Sequence, residues 1–227
     1  MTDNLQAPFA LPPGATEVIL ARHGSVTYDG DGLAGGGADP PLTPNGVQQA
    51  GALAARLRGA KVDVVVASPL RRARDTAAPL AGAVGLQVAI VDELREVGLG
   101  EWEGQLSAKL RERGPLAQRL LTEQRWDMIP GAESHDQFAG RVAAGLARVV
   151  ELTGSDATAV VVAHGGVIGE ACRQVTGSAG FAFVRSENGS ITRLIHHADG
   201  SWALRSFNDT AHLEQQHNAI DKSQTVM

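Results

Sequence analysis

Residues 159–163 read Ala-Val-Val-Val-Ala, an apolar run too short for a self-supporting helix and without any polar alternation. A run of this kind is a strand buried on both faces, and a strand buried on both faces demands a layered fold with helices to cover it. Similar apolar runs recur at 17–21 and 62–67, and a shorter one at 87–91. Helical signals lie between them. Thr43-Pro44 reads as an N-cap with proline at the first helical position, followed by Val47, Ala50, Ala54 and Leu57 on one face. Ser68-Pro69 reads as a second cap before a helix over 70–84 that closes at Gly85. A third helix is predicted over 134–152 with Phe138, Val142, Leu146 and Val149 inward, and a fourth over 167–175. Residues 104–131 read as irregular helices, and 181–207 alternate turn and strand signals. Strands alternating with helices predict an α/β fold: a three-layer sandwich with a largely parallel central sheet flanked by helices. No composition break divides the chain, so a single domain is expected, with its core over about 17–213 and loose tails at 1–14 and 215–227.

The chain has 227 residues, enough for one well-buried core. Hydrophobic residues at 43% and charged residues at 20% exclude the disordered class. A net charge of -5 argues against a nucleic-acid or anionic-membrane partner, since each requires a basic face. No stretch approaches the roughly 20 apolar residues of a membrane span, and 1–14 lack the basic and apolar regions of a signal or transit peptide. The single cysteine, Cys172, cannot form an internal disulfide, which predicts a reducing, cytoplasmic setting. It is read as a small buried hydrophobe.

In open parallel sheets, ligands bind beyond the carboxyl ends of the strands. The first strand there delivers Arg22-His23-Gly24; the second delivers Ser68-Pro69 with Arg71, Arg72 and Arg74 behind; the fourth delivers His164-Gly165. Two histidines and several arginines on one rim suit a phosphate ester. Arginine presents a rigid, permanently charged fork to two phosphate oxygens. A neutral imidazole attacks phosphorus near pH 7 without first losing a proton. The glycine after each histidine admits close backbone approach or a turn closed to other residues. Each piece alone reads as a cap, a turn or a solvated helix face; their joint placement after separate strands is what points to chemistry.

These pieces, in this order, resemble the histidine phosphatase superfamily, in its phosphoglycerate-mutase-like branch. The resemblance spans about 17–213. It rests on Leu20-Ala21-Arg22-His23-Gly24, Asp39-Pro40-Pro41-Leu42-Thr43-Pro44-Asn45-Gly46 and Ala67-Ser68-Pro69-Leu70-Arg71-Arg72-Ala73-Arg74-Asp75-Thr76-Ala77. Further along it rests on Leu94-Arg95-Glu96 with Gly100-Glu101-Trp102-Glu103-Gly104, Pro130-Gly131-Ala132-Glu133-Ser134, and Val162-Ala163-His164-Gly165-Gly166. The resemblance implies that His23 is transiently phosphorylated, that Arg22, Arg72 and His164 line the phosphate pocket with it, and that Glu96 donates a proton to the leaving oxygen. It implies no metal and no organic cofactor. On chemistry alone Glu101 and Glu103 compete with Glu96 for the acid's role. The register of the motif selects Arg72, leaving Arg71 and Arg74 as surface or substrate-facing charges. Two departures stand out. Ser25 occupies a position that is often acidic or long and polar, and Asp29 appears where a phosphate-contacting asparagine is common.

The expected activity is hydrolysis of a small-molecule phosphate ester through a phosphohistidine. Phosphoglycerate mutase-type transfer is the first alternative. A mutase needs an added lid and more basic residues, whereas 104–130 carry Lys109, Arg111, Arg113, Arg119 and Arg125 without a long insertion. A phosphate-binding module with weakened turnover is the second, motivated by Ser25 and Asp29. A dinucleotide site at Gly165-Gly166-Val167-Ile168-Gly169 is discounted, because no glycine fingerprint follows the first strand. His196 and His197 are expected on opposite faces of a strand, unable to share a metal. His212 is expected to close the structure, and Trp102 to shield Glu96 or fill the core.

Overall fold

The computed structural model of the chain describes residues 10–26 and 35–213. Most of the two tails, and Asp29, lie outside the described residues. The central sheet contains β1 (Thr16–Arg22), β2 (Val64–Ala67), β3 (Val88–Ile90), β4 (Ala157–Ala163), β5 (Ile191–His196) and β6 (Trp202–Asp209). Helices are α1 (Pro44–Leu57), α2 (Arg71–Val84), α3 (Leu106–Glu112), α4 (Pro115–Glu123), α5 (His135–Thr153) and α6 (Gly165–Thr176). The strand order is β3-β2-β4-β1-β5-β6. β3, β2, β4 and β1 run parallel, while β5 and β6 are antiparallel additions at the β1 edge. The sheet is therefore mixed. The reason is local: the turn after β5 is closed by His197 N–H donating to Ser201 O at 2.8 Å, and a turn that short can join only antiparallel strands.

β4 is buried along its whole length, as its composition requires. One sheet face packs Ile19, Ala21, Val65, Ala67, Val160 and Val162 against Leu53, Leu57, Ala77 and Leu80 of α1 and α2. The opposite face packs Val18, Leu20, Val66 and Val161 against Val142, Leu146 and Val149 of α5 and against Ile168 and Cys172 of α6. Trp102 sits in that second cluster at 7% exposure, so it fills the core. Cys172 is fully buried, and burial pushes its thiol up to about 12, the behaviour of an inert hydrophobe.

Helix starts follow the capping chemistry in two cases. The Thr43 side chain accepts from Gly46 N–H at 2.9 Å, and Ser134 forms a reciprocal capping box with Gln137. The expected inward residues of α5 are the buried ones. In α1 the buried stripe runs through Gly46, Ala50, Leu53, Ala54 and Leu57, so the stripe edge leaves Val47 59% exposed. That corrects the expected face: Leu53, not Val47, points inward. α2 starts at Arg71 with Leu70 at the cap position and no side-chain cap. Ser68 is thus no helix cap, and its hydroxyl goes elsewhere.

Candidate active site

The strand ends meet as the parallel sheet requires. His23 follows β1 directly and its N–H donates to Ala163 O at 3.0 Å, at the end of β4; His164 is the next residue of that same strand end. The two imidazole rings stand 5.1 Å apart, centroid to centroid, tilted by 58°. Gly24 is needed here for space rather than for a special turn. A Cβ at Gly24 would sit 2.4 Å from Gly46 O, so the start of α1 packs onto the residue after His23. Thr76 completes the brace: its hydroxyl accepts from Gly24 N–H at 3.0 Å and donates to Arg72 O at 2.7 Å.

A hydrogen bond sets the tautomer of His23. His23 Nδ1 lies 2.7 Å from Gly24 O, a carbonyl that can only accept, so Nδ1 carries the proton and Nε2 holds the lone pair. His164 Nε2 lies 2.8 Å from Ser68 Oγ. Ser68 Oγ also accepts from Leu70 N–H at 3.3 Å, and its hydroxyl can either donate to Nε2 or accept from it. The other ring nitrogen, Nδ1, is buried with no hydrogen-bond partner among the described residues.

Both rings are held neutral. Burial is the main cause at His23, reinforced by the Arg22 and Arg72 charges; together they hold it well below the usual histidine range despite the opposing bond to Gly24. Burial likewise dominates at His164, followed by His23, Arg72, Arg22 and Arg141. A neutral His23 with its lone pair on Nε2 is the nucleophilic form of imidazole.

The two arginines are fixed differently. Arg22 lines the open cleft and donates through Nη1 to Ser186 O. Arg72 is completely buried; Nη1 donates to Ala38 O at 2.6 Å and Nη2 to Gly35 O at 3.1 Å, with Asp39 Oδ1 at 3.7 Å. Burying a guanidinium is costly, and each charged hydrogen bond returns only about 1.5–3 kcal/mol. Arg71 pairs with Asp75 at 3.1 Å on the surface, and Arg74 is exposed, whereas Arg72 is buried beside His23.

Glu96 also lines the cleft, which encloses about 300 Å³ together with His23, Arg22, Leu99, Leu106 and Trp126. Its carboxylate accepts from Val97 N–H at 2.9 Å and from Gly166 N–H at 3.1 Å, in the first turn of α6. Of its competitors, Glu101 is exposed, and Glu103 turns back to accept from Leu99 N–H at 2.7 Å; neither lines the cleft. Ser25 faces the start of α1, with Thr43 Oγ1 at 3.1 Å and Gln49 Oε1 at 3.2 Å, and is occupied structurally.

Sequence reasoning missed several contributors. Asn188 donates through Nδ2 to His23 O at 2.9 Å, and Trp126 forms part of the cleft wall. Both come from segments with no motif of their own. Ser68 was visible but was read as a cap. His212 Nε2 lies 3.0 Å from Gly189 O, closing the loop that carries Asn188, which matches its expected structural role. The His196 and Trp202 rings lie 4.7 Å apart, tilted by 56°, and His196 does not line the cleft.

A mixed α/β sheet with paired histidines, two arginines and a carboxyl at its strand ends defines a phosphoryl-transfer architecture. Residues 18–210 match the model of the histidine phosphatase superfamily (branch 1), and the chain belongs to that family. The chain is 33% identical over 201 residues to the Mycobacterium tuberculosis "Bifunctional protein Rv2228c", covering 87% of this chain. It spans only 55% of that relative's length. It is 29% identical over 215 residues to the Salmonella choleraesuis "Probable phosphoglycerate mutase GpmB", covering 92% of this chain and 99% of the relative. Among solved structures, mycobacterial glucosyl-3-phosphoglycerate phosphatase Rv2419c superposes with a TM-score of 0.75 at 29% identity, over 86% of this chain and 100% of that one.

Proposed function

We propose that this protein is a phosphomonoester phosphatase that works through a phosphohistidine at His23 on a small phosphorylated metabolite, without metal, in the reducing setting suggested by its lone cysteine. The observation that carries the reading is the meeting of two buried imidazoles 5.1 Å apart, both held neutral by burial and by the Arg22 and Arg72 charges: His23 keeps its lone pair on Nε2, and His164 Nδ1 has no hydrogen-bond partner among the described residues. In the first step His23 Nε2 attacks phosphorus, the P–O bond to the leaving group breaks, and Glu96 gives its proton to the departing oxygen. In the second, water attacks phosphorus while Glu96 takes a proton from it, the bond between His23 Nε2 and phosphorus breaks, and inorganic phosphate leaves. Arg22, Arg72 and His164 neutralise the charge on the equatorial oxygens, which is most of what phosphoryl transfer asks of a protein.

Hydrolysis is favoured over mutase transfer by the placement of the basic residues around α3 and α4. Lys109 pairs with Glu112, Arg119 with Glu123 and Arg125 with Asp127, and none of these lines the cleft. The cleft's cationic wall, among the described residues, is Arg22 and Arg185, and Glu96 and Glu187 offset them. A bisphosphorylated intermediate would find little extra positive charge to retain it.

The deciding measurement is phosphate release from a chromogenic phosphomonoester by the intact protein at mildly acidic to neutral pH, with His23→Ala as control. Release that disappears in the control supports the proposal; no release from the intact protein overturns it in favour of a binding module. A panel of phosphorylated metabolites ranked by kcat/KM then identifies the substrate, and phosphate exchange between phosphoglycerates without net release would establish the mutase instead.

A further inference from the structure

We infer that Arg141 and Glu133 are positioning residues for Glu96, forming a clamp that fixes the proton donor's segment against helix α5; the inference rests on the role of Glu96 proposed above. The segment in question, 93–98, is a single turn over Asp92–Leu94 followed by irregular chain, with no sheet or helix ladder to hold it. One guanidinium takes over that task. Arg141 Nη1 donates to Glu93 O at 2.7 Å and to Arg95 O at 2.6 Å, and Nη2 reaches Glu96 O at 3.5 Å.

The same guanidinium is locked from the other side. Its Nε and Nη2 donate to the two carboxylate oxygens of Glu133 at 2.9 and 2.7 Å, the bidentate fork geometry that fixes orientation as well as distance. Arg141 is also seated over the Phe138 ring at 5.1 Å. Glu133 in turn ties to the far end of the segment: its N–H donates to Gly98 O at 2.9 Å, and Gly98 N–H reaches its Oε2 at 3.4 Å. The clamp thus holds the main chain on both sides of Glu96, while Val97 N–H and Gly166 N–H hold its carboxylate. Neither Arg141 nor Glu133 lines the cleft, so neither touches a substrate there.

General acids are sensitive to placement: an error of about 1 Å can cost about 10²-fold. The loss falls only on reactions that need the proton. An alkoxide leaving group needs it; 4-nitrophenolate departs without it. The test compares kcat/KM for glycerol phosphate with that for 4-nitrophenyl phosphate in wild type, Glu96→Gln, Arg141→Lys and Glu133→Gln. Lysine keeps the charge but lacks the fork, and glutamine keeps the size of Glu133 but pairs with only one arm. Both clamp variants are expected to lower the alkyl-to-aryl ratio by about tenfold or more, in the direction of Glu96→Gln. Adding Arg141→Lys to Glu96→Gln is expected to lower the ratio no further, because the donor is already gone.

If Glu96→Gln shifts the ratio and neither clamp variant does, or if they lose both activities equally, the clamp has only a structural role and the inference is overturned while the phosphatase reading stands. If Glu96→Gln itself leaves the ratio unchanged, the acid assignment fails and the inference fails with it. Should Arg141→Lys not fold, Glu133→Gln decides the outcome alone.

Discussion

Ser68 Oγ lies 2.8 Å from His164 Nε2, joining the end of β2 to the end of β4 beneath the site. This bond holds the His164 ring through Nε2 and leaves Nδ1 without a hydrogen-bond partner among the described residues. Ser68→Ala is expected to lower kcat/KM on a chromogenic phosphomonoester by about 10–100-fold, the loss of one charge-stabilising donor at about 1.5–3 kcal/mol. Ser68→Thr, which keeps the hydroxyl, is expected to retain more activity. Equal losses in the two variants would show that the hydroxyl is not what matters.

His23→Ala is expected to abolish turnover, and wild type quenched during turnover is expected to carry acid-labile, base-stable phosphate on His23. Mass spectrometry of the peptide containing His23 checks the second point. Substantial turnover in the variant would remove the nucleophile from the mechanism.

Gly166→Ala separates stability from chemistry. A Cβ there would stand 2.4 Å from Glu96 Oε1, the movable end of the side chain, so the carboxylate must shift while the helix is left intact. In the helix, alanine gains roughly 0.5–1 kcal/mol over glycine. The expected result is an unchanged or higher melting temperature with activity on alkyl phosphates reduced about tenfold or more. A fall in melting temperature with normal selectivity would show that the fold, not Glu96, absorbs the clash.

Stability should decline on mild acidification. His23 and His164 bind protons less readily in the native protein than at their ordinary value of 6.5. Below that value the unfolded chain therefore holds more protons than the native one, and the free energy of unfolding decreases as pH falls. Above it the contribution is constant. Urea midpoints measured from pH 7.5 downward are expected to drop below about 6.5, with a shallower slope in His164→Gln. An identical slope in that variant would remove His164 from the account.

Inorganic phosphate should stabilise the fold. The Arg22 and Arg72 charges act on His23, and His164 Nδ1 has no hydrogen-bond partner among the described residues, the setting in which an anion is expected to bind. Phosphate at about 100 times its dissociation constant is expected to add about 2.7 kcal/mol. The thermal shift should vanish in His164→Ala; a shift that persists there would indicate anion binding elsewhere.

Much of this was legible along the chain, because the determinants are local. The apolar run of β4 can only be a covered strand, and the helix caps at Thr43 and Ser134 are short-range hydrogen bonds written in adjacent residues. Strand-end placement then put Arg22, His23, Arg72 and His164 on one rim, since parallel strands align their carboxyl ends. Where the chain was misread, a local preference gave way to a distant partner. Ser68-Pro69 looks like a cap, yet the hydroxyl is claimed by His164, a residue separated from it by much of the chain.

Left to its residues alone, the chain determines an α/β sandwich and which histidines and arginines gather at its strand ends, since hydrophobic period and residue type act over a few positions. Only tertiary structure decided the tautomer of His23, the placement of Glu96 rather than Glu101 or Glu103 on the cleft, and the contacts of Arg141 with the segment around Glu96. Those depend on hydrogen bonds and burial between elements far apart in sequence, and no local pattern records which distant atom a side chain will meet.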